Sequence, residues 1–134
     1  MQLFEQEIQV RVRYSETDQM GFVYYGNYSS YFEVARVEWL RNYGVSYKEL
    51  EQQGILMPVV HYSIDYLKPA FYDDLLTIKV WLEEMPTNKI KFAYETYNEA
   101  GEVLNKGKTI LVFLSKETMK PVRVPEIVMN KLKQ

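Results

Sequence analysis

Asp18 stands near the start of a stretch, Tyr14 to Trp39 (YSETDQMGFVYYGNYSSYFEVARVEW), whose residue types suit chemistry on a carbonyl. Gly21 and Gly26 follow it, and then a helix begins, where free backbone N–H groups and the dipole present partial positive charge. Transferring or hydrolysing an acyl group requires a nucleophile or an activated water, together with donors for the developing oxyanion. Asp18 can serve as nucleophile or as general base, and the N–H groups around Tyr24–Gly26 can serve as donors. The glycines would allow a tight backbone path and the close approach of a substrate carbonyl. The competing reading is that Asp18 caps a turn and the glycines bend it, as short Asp/Gly patterns in loops commonly do.

Other candidates carry plainer alternatives. Glu33 lies three residues before Arg36 on the same helix, so an intrahelical ion pair is open to it. In a functional role it would face an acyl pocket. Lys89 and Lys91 share the polar face of one strand and could meet phosphates, although such lysines are commonly just solvated. The single histidine, His61, reads as a sheet residue on a polar face with Ser63 and Asp65. No G-x-S-x-G turn presents a serine to it, and no ligand spacing suggests a metal site. Neither a G-x-G-x-x-G nor a Walker A loop is present, so no dinucleotide or ATP cradle is supported.

The elements that must position these residues follow from periodicity. Ile8, Val10 and Val12 alternate with polar residues in a half-buried strand. Tyr28, Phe32, Ala35 and Trp39 fall at helical spacing, so residues 25–42 form a long helix with one buried stripe, capped near Gly44. Ser46 and Glu49 form a capping box for a second, short helix that Gly54 stops. From Ile55 the chain turns to strands. Val60–Tyr66, Leu76–Leu82, Ile90–Thr96 and Val103–Leu114 each alternate, with turns at Pro69–Asp74, Pro86–Asn88 and Asn98–Gly101, so sequential neighbours should pair antiparallel. ILVFL at 110–114 is apolar on both faces, as in a central or interface strand. Pro125 opens a short closing helix. The 134 residues suit a single domain, 1–134, of α+β class: a curved antiparallel sheet wrapped around one central helix. One helix cannot cover all the apolar surface, so a dimer is expected.

Composition narrows the function classes. A formal charge of −2 argues against general nucleic-acid binding. The absence of cysteine excludes disulfides, thiolate nucleophiles and cysteine zinc sites. MQLFEQEIQV is not a signal peptide and no run suits a membrane span, so the expectation is a cytoplasmic protein.

The run RVRYSETDQMGFVYYGNYSSYFEVARVEWLRNYG resembles the signature of the 4-hydroxybenzoyl-CoA thioesterase family of hotdog-fold acyl-CoA thioesterases, in the branch that includes the Tol–Pal-associated enzymes. Asp18, Gly21, Val23, Tyr24, Tyr28, Phe32, Glu33, Arg36 and Trp39 carry the match, and YLKPAFYDDLLTI and KETMKPVRVP extend it over nearly the whole chain. The resemblance implies a hotdog fold, with paired subunits whose clefts meet at the interface and tetramers among the larger assemblies. It implies hydrolysis of an acyl-CoA with no metal and no separate cofactor. By the same resemblance Asp18 is the catalytic carboxylate, the Tyr25 backbone N–H polarises the thioester carbonyl, and Gly26, Tyr28 and Glu33 serve the substrate site. Basic side chains, with Lys89 and Lys91 as candidates, hold the CoA phosphates. One departure stands out: many relatives have histidine at the position of Tyr25, so any imidazole contribution there is gone. The alternative to an enzyme is a non-catalytic hotdog module that binds acyl-CoA. A hydratase ranks lower, because His61 lies outside the Asp18 loop.

Overall fold

The computed structural model describes residues 2–134. Strand β1 (Gln6–Arg11) leads through two short 3₁₀ turns, Tyr14–Glu16 and Tyr25–Asn27, into helix α1 (Tyr28–Asn42). Helix α2 (Tyr47–Gln52) follows, then strands β2 (Ile55–Leu56), β3 (Val59–Tyr66), β4 (Leu75–Leu82), β5 (Lys89–Tyr97), β6 (Val103–Ser115) and β7 (Pro121–Val122), and helix α3 (Glu126–Leu132). The helix ends fall where the sequence places them, with one half of the Ser46–Glu49 capping box made and Pro125 one residue ahead of the first turn. Gly44 sits at φ +87° just beyond α1, the Ser46 hydroxyl accepts the Glu49 N–H at 3.1 Å, and Pro125 is the N-cap of α3.

α1 packs on the sheet through Tyr28, Tyr31, Phe32, Ala35, Trp39 and Leu40, a wider stripe than the apolar spacing alone marks. Opposite them the inner faces of β4 and β5 present Leu76, Ile78, Val80, Leu82, Ile90, Phe92 and Tyr94, all 1% exposed or less. Burying each large apolar side chain of this kind stabilises the fold by roughly 1.5–3 kcal/mol. Gly107 on β6 leaves room for the helix: an added Cβ there would stand 2.3 Å from the Phe32 ring. The missing side chain lets Phe32 lie flat on Tyr94, with ring centroids 4.2 Å apart and planes 10° apart.

The strands form one seven-stranded antiparallel sheet in the order β1-β4-β5-β6, with β3 and the short β2 on the far edge of β6. This corrects one expectation from sequence. β3 and β4 are joined by only eight residues, yet β3 pairs with β6, and β4 pairs with β1 and β5. The 67–74 segment is therefore a crossing, not a hairpin. It is tied down along its path: the Leu67 and Lys68 N–H groups donate to Leu104 O, the Val23 N–H donates to Ala70 O at 2.9 Å, and the Asp73 N–H donates to Val12 O at 3.0 Å. The crossing passes over the end of the sheet and meets the Asp18 loop, where Phe22 and Phe71 pair edge to face.

Candidate active site

The Asp18 loop is a tight hairpin. The Asp18 N–H donates to Phe22 O at 2.8 Å, the Gly21 N–H donates to Asp18 O at 2.9 Å, and Thr17 bridges Val23. Gly21, at φ +81°, adopts a conformation that a side chain would strain. The Asp18 carboxylate takes part in the turn: Oδ1 accepts the Met20 N–H at 2.9 Å and the Phe22 N–H at 3.3 Å. No hydrogen bond among the described residues reaches Oδ2. The two sequence readings of Asp18 thus coexist, one oxygen capping the turn and the other left for the cleft that Asp18 lines.

That cleft has a volume of about 290 Å³. The Asp18 loop forms one wall through Met20 and Phe22, the start of the helix contributes Tyr25 and Tyr28, and Tyr66 to Pro69 close the other side. At the helix start the Tyr24 N–H is spent on Glu16 O at 2.9 Å, which removes it from the donors expected around Tyr24–Gly26. Among the described residues, the N–H groups of Tyr25 and Gly26 have no backbone acceptor. Gly26 also makes room for a neighbouring ring. A Cβ there would stand 2.9 Å from the Tyr24 ring, which packs on Tyr25 at a centroid distance of 4.7 Å. The Tyr25 hydroxyl beside the Tyr24 phenol raises its pKa above the ordinary value.

Glu16 holds this arrangement together and was not singled out from sequence. Its carboxylate accepts the Tyr31 hydroxyl at 2.9 Å, the Arg13 N–H at 2.7 Å and the Arg13 guanidinium at 3.1 and 3.2 Å. Its carbonyl accepts the Tyr24 N–H and the Asn27 side-chain amide at 2.8 Å. Partial burial pulls its pKa upward, but the Arg13 N–H, the Tyr31 hydroxyl and the Arg13 guanidinium outweigh this and hold the carboxyl below the ordinary glutamate value. One residue thereby clamps the loop to the first turns of α1. In sequence its only signal is an acidic residue three positions after Arg13.

Not every predicted site residue reaches the cleft. The Glu33–Arg36 ion pair is not made: Glu33 is exposed, and Arg36 is 7% exposed and turned toward the Tyr47 and Tyr94 phenols. Both residues line a separate cavity of about 300 Å³ with Val59, Tyr62 and Thr109. Lys89 and Lys91 also lie away from the cleft. They alternate with the buried Ile90 and Phe92 and so face the outer side of the sheet, where Lys91 pairs with Glu84 at 2.7 Å. The base at the cleft is Lys68, from the crossing segment, paired with Glu102. Only the crossing topology brings Lys68 there, so strand periodicity carries no hint of it. Among the described residues no cluster of His, Asp or Glu could hold a metal ion, and no helix is long and apolar enough to cross a membrane.

A curved antiparallel sheet around one long helix is the hotdog architecture. The sequence matches the thioesterase-like superfamily over residues 12–132, and the chain belongs to that family. YneP of Bacillus subtilis (strain 168) is 37% identical over 115 residues, covering 86% of this chain and 83% of its own. The acyl-CoA thioester hydrolase YbgC of Escherichia coli O6:H1 is 30% identical over 125 residues, 93% of each chain. A solved structure, the DHNA-CoA thioesterase of Staphylococcus aureus, superposes with a TM-score of 0.89 at 34% identity, over 96% of this chain and 91% of that one.

Proposed function

We propose that this acyl-CoA thioesterase hydrolyses its thioester in the Asp18 cleft, with Asp18 as the catalytic carboxylate and the Tyr25 N–H as the carbonyl donor. The observation that carries the reading is the divided role of Asp18: Oδ1 is pinned by two backbone N–H groups while Oδ2 is left unpaired beside a helix start with free donors. In the general-base form Oδ2 takes a proton from water, and the hydroxide attacks the thioester carbonyl. The oxyanion is held by the Tyr25 N–H, with that of Gly26 alongside. Collapse breaks the C–S bond, and the CoA thiolate leaves with the proton held on Asp18, which yields a carboxylic acid and free CoA. In the nucleophilic form Oδ2 attacks the thioester carbonyl and expels the CoA thiolate, leaving an aspartyl anhydride; water then cleaves the anhydride to the carboxylic acid and free Asp18, and the proton water releases ends on the thiolate. The mostly apolar walls strengthen both the base and the oxyanion contacts. Lys68 suits the CoA phosphates better than Lys89 or Lys91, since it alone of the three stands at the cleft.

A homodimer completes this reading. β3 pairs with β6 on one side only, and its open edge carries apolar side chains at 57% exposure for Val60, 36% for Tyr62 and 49% for Tyr66. An open apolar edge of this kind is a template for a second strand. Antiparallel pairing of β3 with its copy would set the Tyr66 end, at the Asp18 cleft, beside the partner's Val59 end, at the Glu33 cavity. Glu33 would then line the acyl pocket across the interface. The test is free-thiol release from a panel of short-chain, long-chain and aromatic acyl-CoAs. Asp18→Asn should lower kcat by about 10²–10⁴-fold, the usual worth of a catalytic acid or base. Tight binding without turnover across the panel would instead make the protein an acyl-CoA-binding module.

A further inference from the structure

We propose that Asn105 is a positioning residue for the cleft, acting on the Tyr28 phenol so that its O–H points at the substrate. The inference rests on the thioesterase reading of the Asp18 cleft and adds a residue on β6 that takes no part in it. Asn105 is 0% exposed, and neither its Oδ1 nor its Nδ2 has a hydrogen-bond partner among the described residues. Its cross-strand neighbour on β5, Thr96, is equally buried and its hydroxyl equally unpartnered. On the other side Asn105 pairs in register with Tyr66, which lines the cleft. Three orphaned polar atoms thus lie together directly behind the cleft wall. Orphaned groups at full burial carry their whole desolvation penalty, and a pair of apolar side chains would fill the place at no such cost.

The wall in front of them is Tyr28, whose ring is 3% exposed and lines the cleft. Its ring packs on Tyr66 at a centroid distance of 5.8 Å, and Tyr66 is the register partner of Asn105, so the phenol stands over the orphaned amide. Burial pushes its pKa up to about 12, against the Ala70 backbone and the Asn105 side chain near its oxygen. The phenol is therefore neutral at physiological pH, with one proton to donate and lone pairs to accept. Donors that close on the oxygen from behind would take its lone pairs, and the O–H would then have the cleft as its outlet. The amide stands beside Oη without a completed hydrogen bond. Contacts of this kind are commonly long in unliganded sites and tighten when a ligand arrives.

The experiment compares wild type, Asn105→Leu, Asn105→Asp, Tyr28→Phe and the Asn105→Leu/Tyr28→Phe double variant, by kcat/KM on the best acyl-CoA and by thermal unfolding. Asn105→Leu should unfold at the same or a higher temperature yet lose roughly five- to tenfold in kcat/KM, the worth of one hydrogen bond. Asn105→Asp should lose at least as much, because a carboxylate accepts the phenol proton and turns it inward. In the Tyr28→Phe background, Asn105→Leu should change nothing further. An unchanged kcat/KM in Asn105→Leu, the same loss with and without the Tyr28 hydroxyl, or an activity loss that merely tracks a fall in unfolding temperature would each overturn the proposal. Calorimetric binding of a non-hydrolysable acyl-CoA thioether to the same five proteins separates the two readings. A wild type that binds the thioether but turns nothing over defeats hydrolysis at Asp18, and Asn105 is then judged by whether the affinities show the same non-additive pattern.

Discussion

At the scale of single residues, the cleft depends on which atoms of a side chain are already committed. Asp18 gives Oδ1 to its own turn, and Tyr24 gives its N–H to Glu16 O, so what remains for chemistry is Asp18 Oδ2 and the N–H groups of Tyr25 and Gly26. If the Tyr25 N–H is the carbonyl donor, the phenol is dispensable and the backbone is not. Tyr25 is the first residue of its 3₁₀ turn and is preceded by an extended Tyr24 at ψ 132°, a place where proline fits without strain. Tyr25→Pro should therefore fold yet lose about 10²–10³ in kcat, as for removal of one oxyanion donor. Tyr25→Phe should keep most of its turnover, with Tyr25→Ala as the control for the lost ring. A second prediction concerns Glu16. Its folded-state pKa lies below the ordinary value of 4.5, so its contribution to stability is fully present above that value and is lost as the pH falls through it. Urea titrations from pH 7 down through the acid range should show Glu16→Gln destabilised at neutral pH, with the gap to wild type closing only as the pH falls below 4.5 toward the lowered folded-state value.

At the scale of elements, the central helix packs on β1 and β4, and β6 yields to it at one point. Gly107 has no Cβ where the Phe32 edge comes down, and the Phe32–Tyr94 stack fills that space. Both flanking elements are buried there, so neither can move aside cheaply. Gly107→Ala should destabilise the fold by about 1–3 kcal/mol, the cost of overpacking a filled core. Chemical denaturation would measure it, and a loss well below 1 kcal/mol would mean that α1 shifts along the sheet to make room. The crossing segment 67–74 is the other element that matters, since it supplies the Lys68 and Pro69 wall and anchors Val23 through Ala70 O.

At the scale of the whole molecule, Asp18 and Glu33 lie in separate cavities of one protomer, and pairing through β3 is the arrangement that would unite them. Lysine at Val60 places charge on the open edge without touching the core, because that side chain is 57% exposed. The variant should sediment as a monomer and lose turnover, while wild type should lose specific activity on dilution below its dimer dissociation constant. A monomeric variant with full activity would show that each cleft works alone and would remove Glu33 from the site.

Local pattern determined much of this protein in advance. Helical spacing marked α1, alternation marked β1 and β3 to β6, and Ser46, Gly44 and Pro125 marked the helix ends, because each signal acts through neighbours a few residues apart. The Asp18 loop was legible for the same reason: a carboxylate, a positive-φ glycine and a helix start lie within ten residues of one another. Contacts made across the fold were not legible. The Glu33–Arg36 spacing suggested an ion pair, but Arg36 is drawn beneath the helix toward Tyr47 and Tyr94, a choice made by burial. Turn residues between β3 and β4 suggested a hairpin, but pairing with β6 was available to β3 and made the connection a crossing. Glu16, Lys68, Gly107 and Asn105 owe their roles to partners 15 to 77 positions away in the chain. Sequence by itself therefore determined the elements and the Asp18 loop. Tertiary structure alone decided which charges are spent, which face of each strand meets the cleft and what stands behind its wall, because strand order and burial are settled by competition among distant segments.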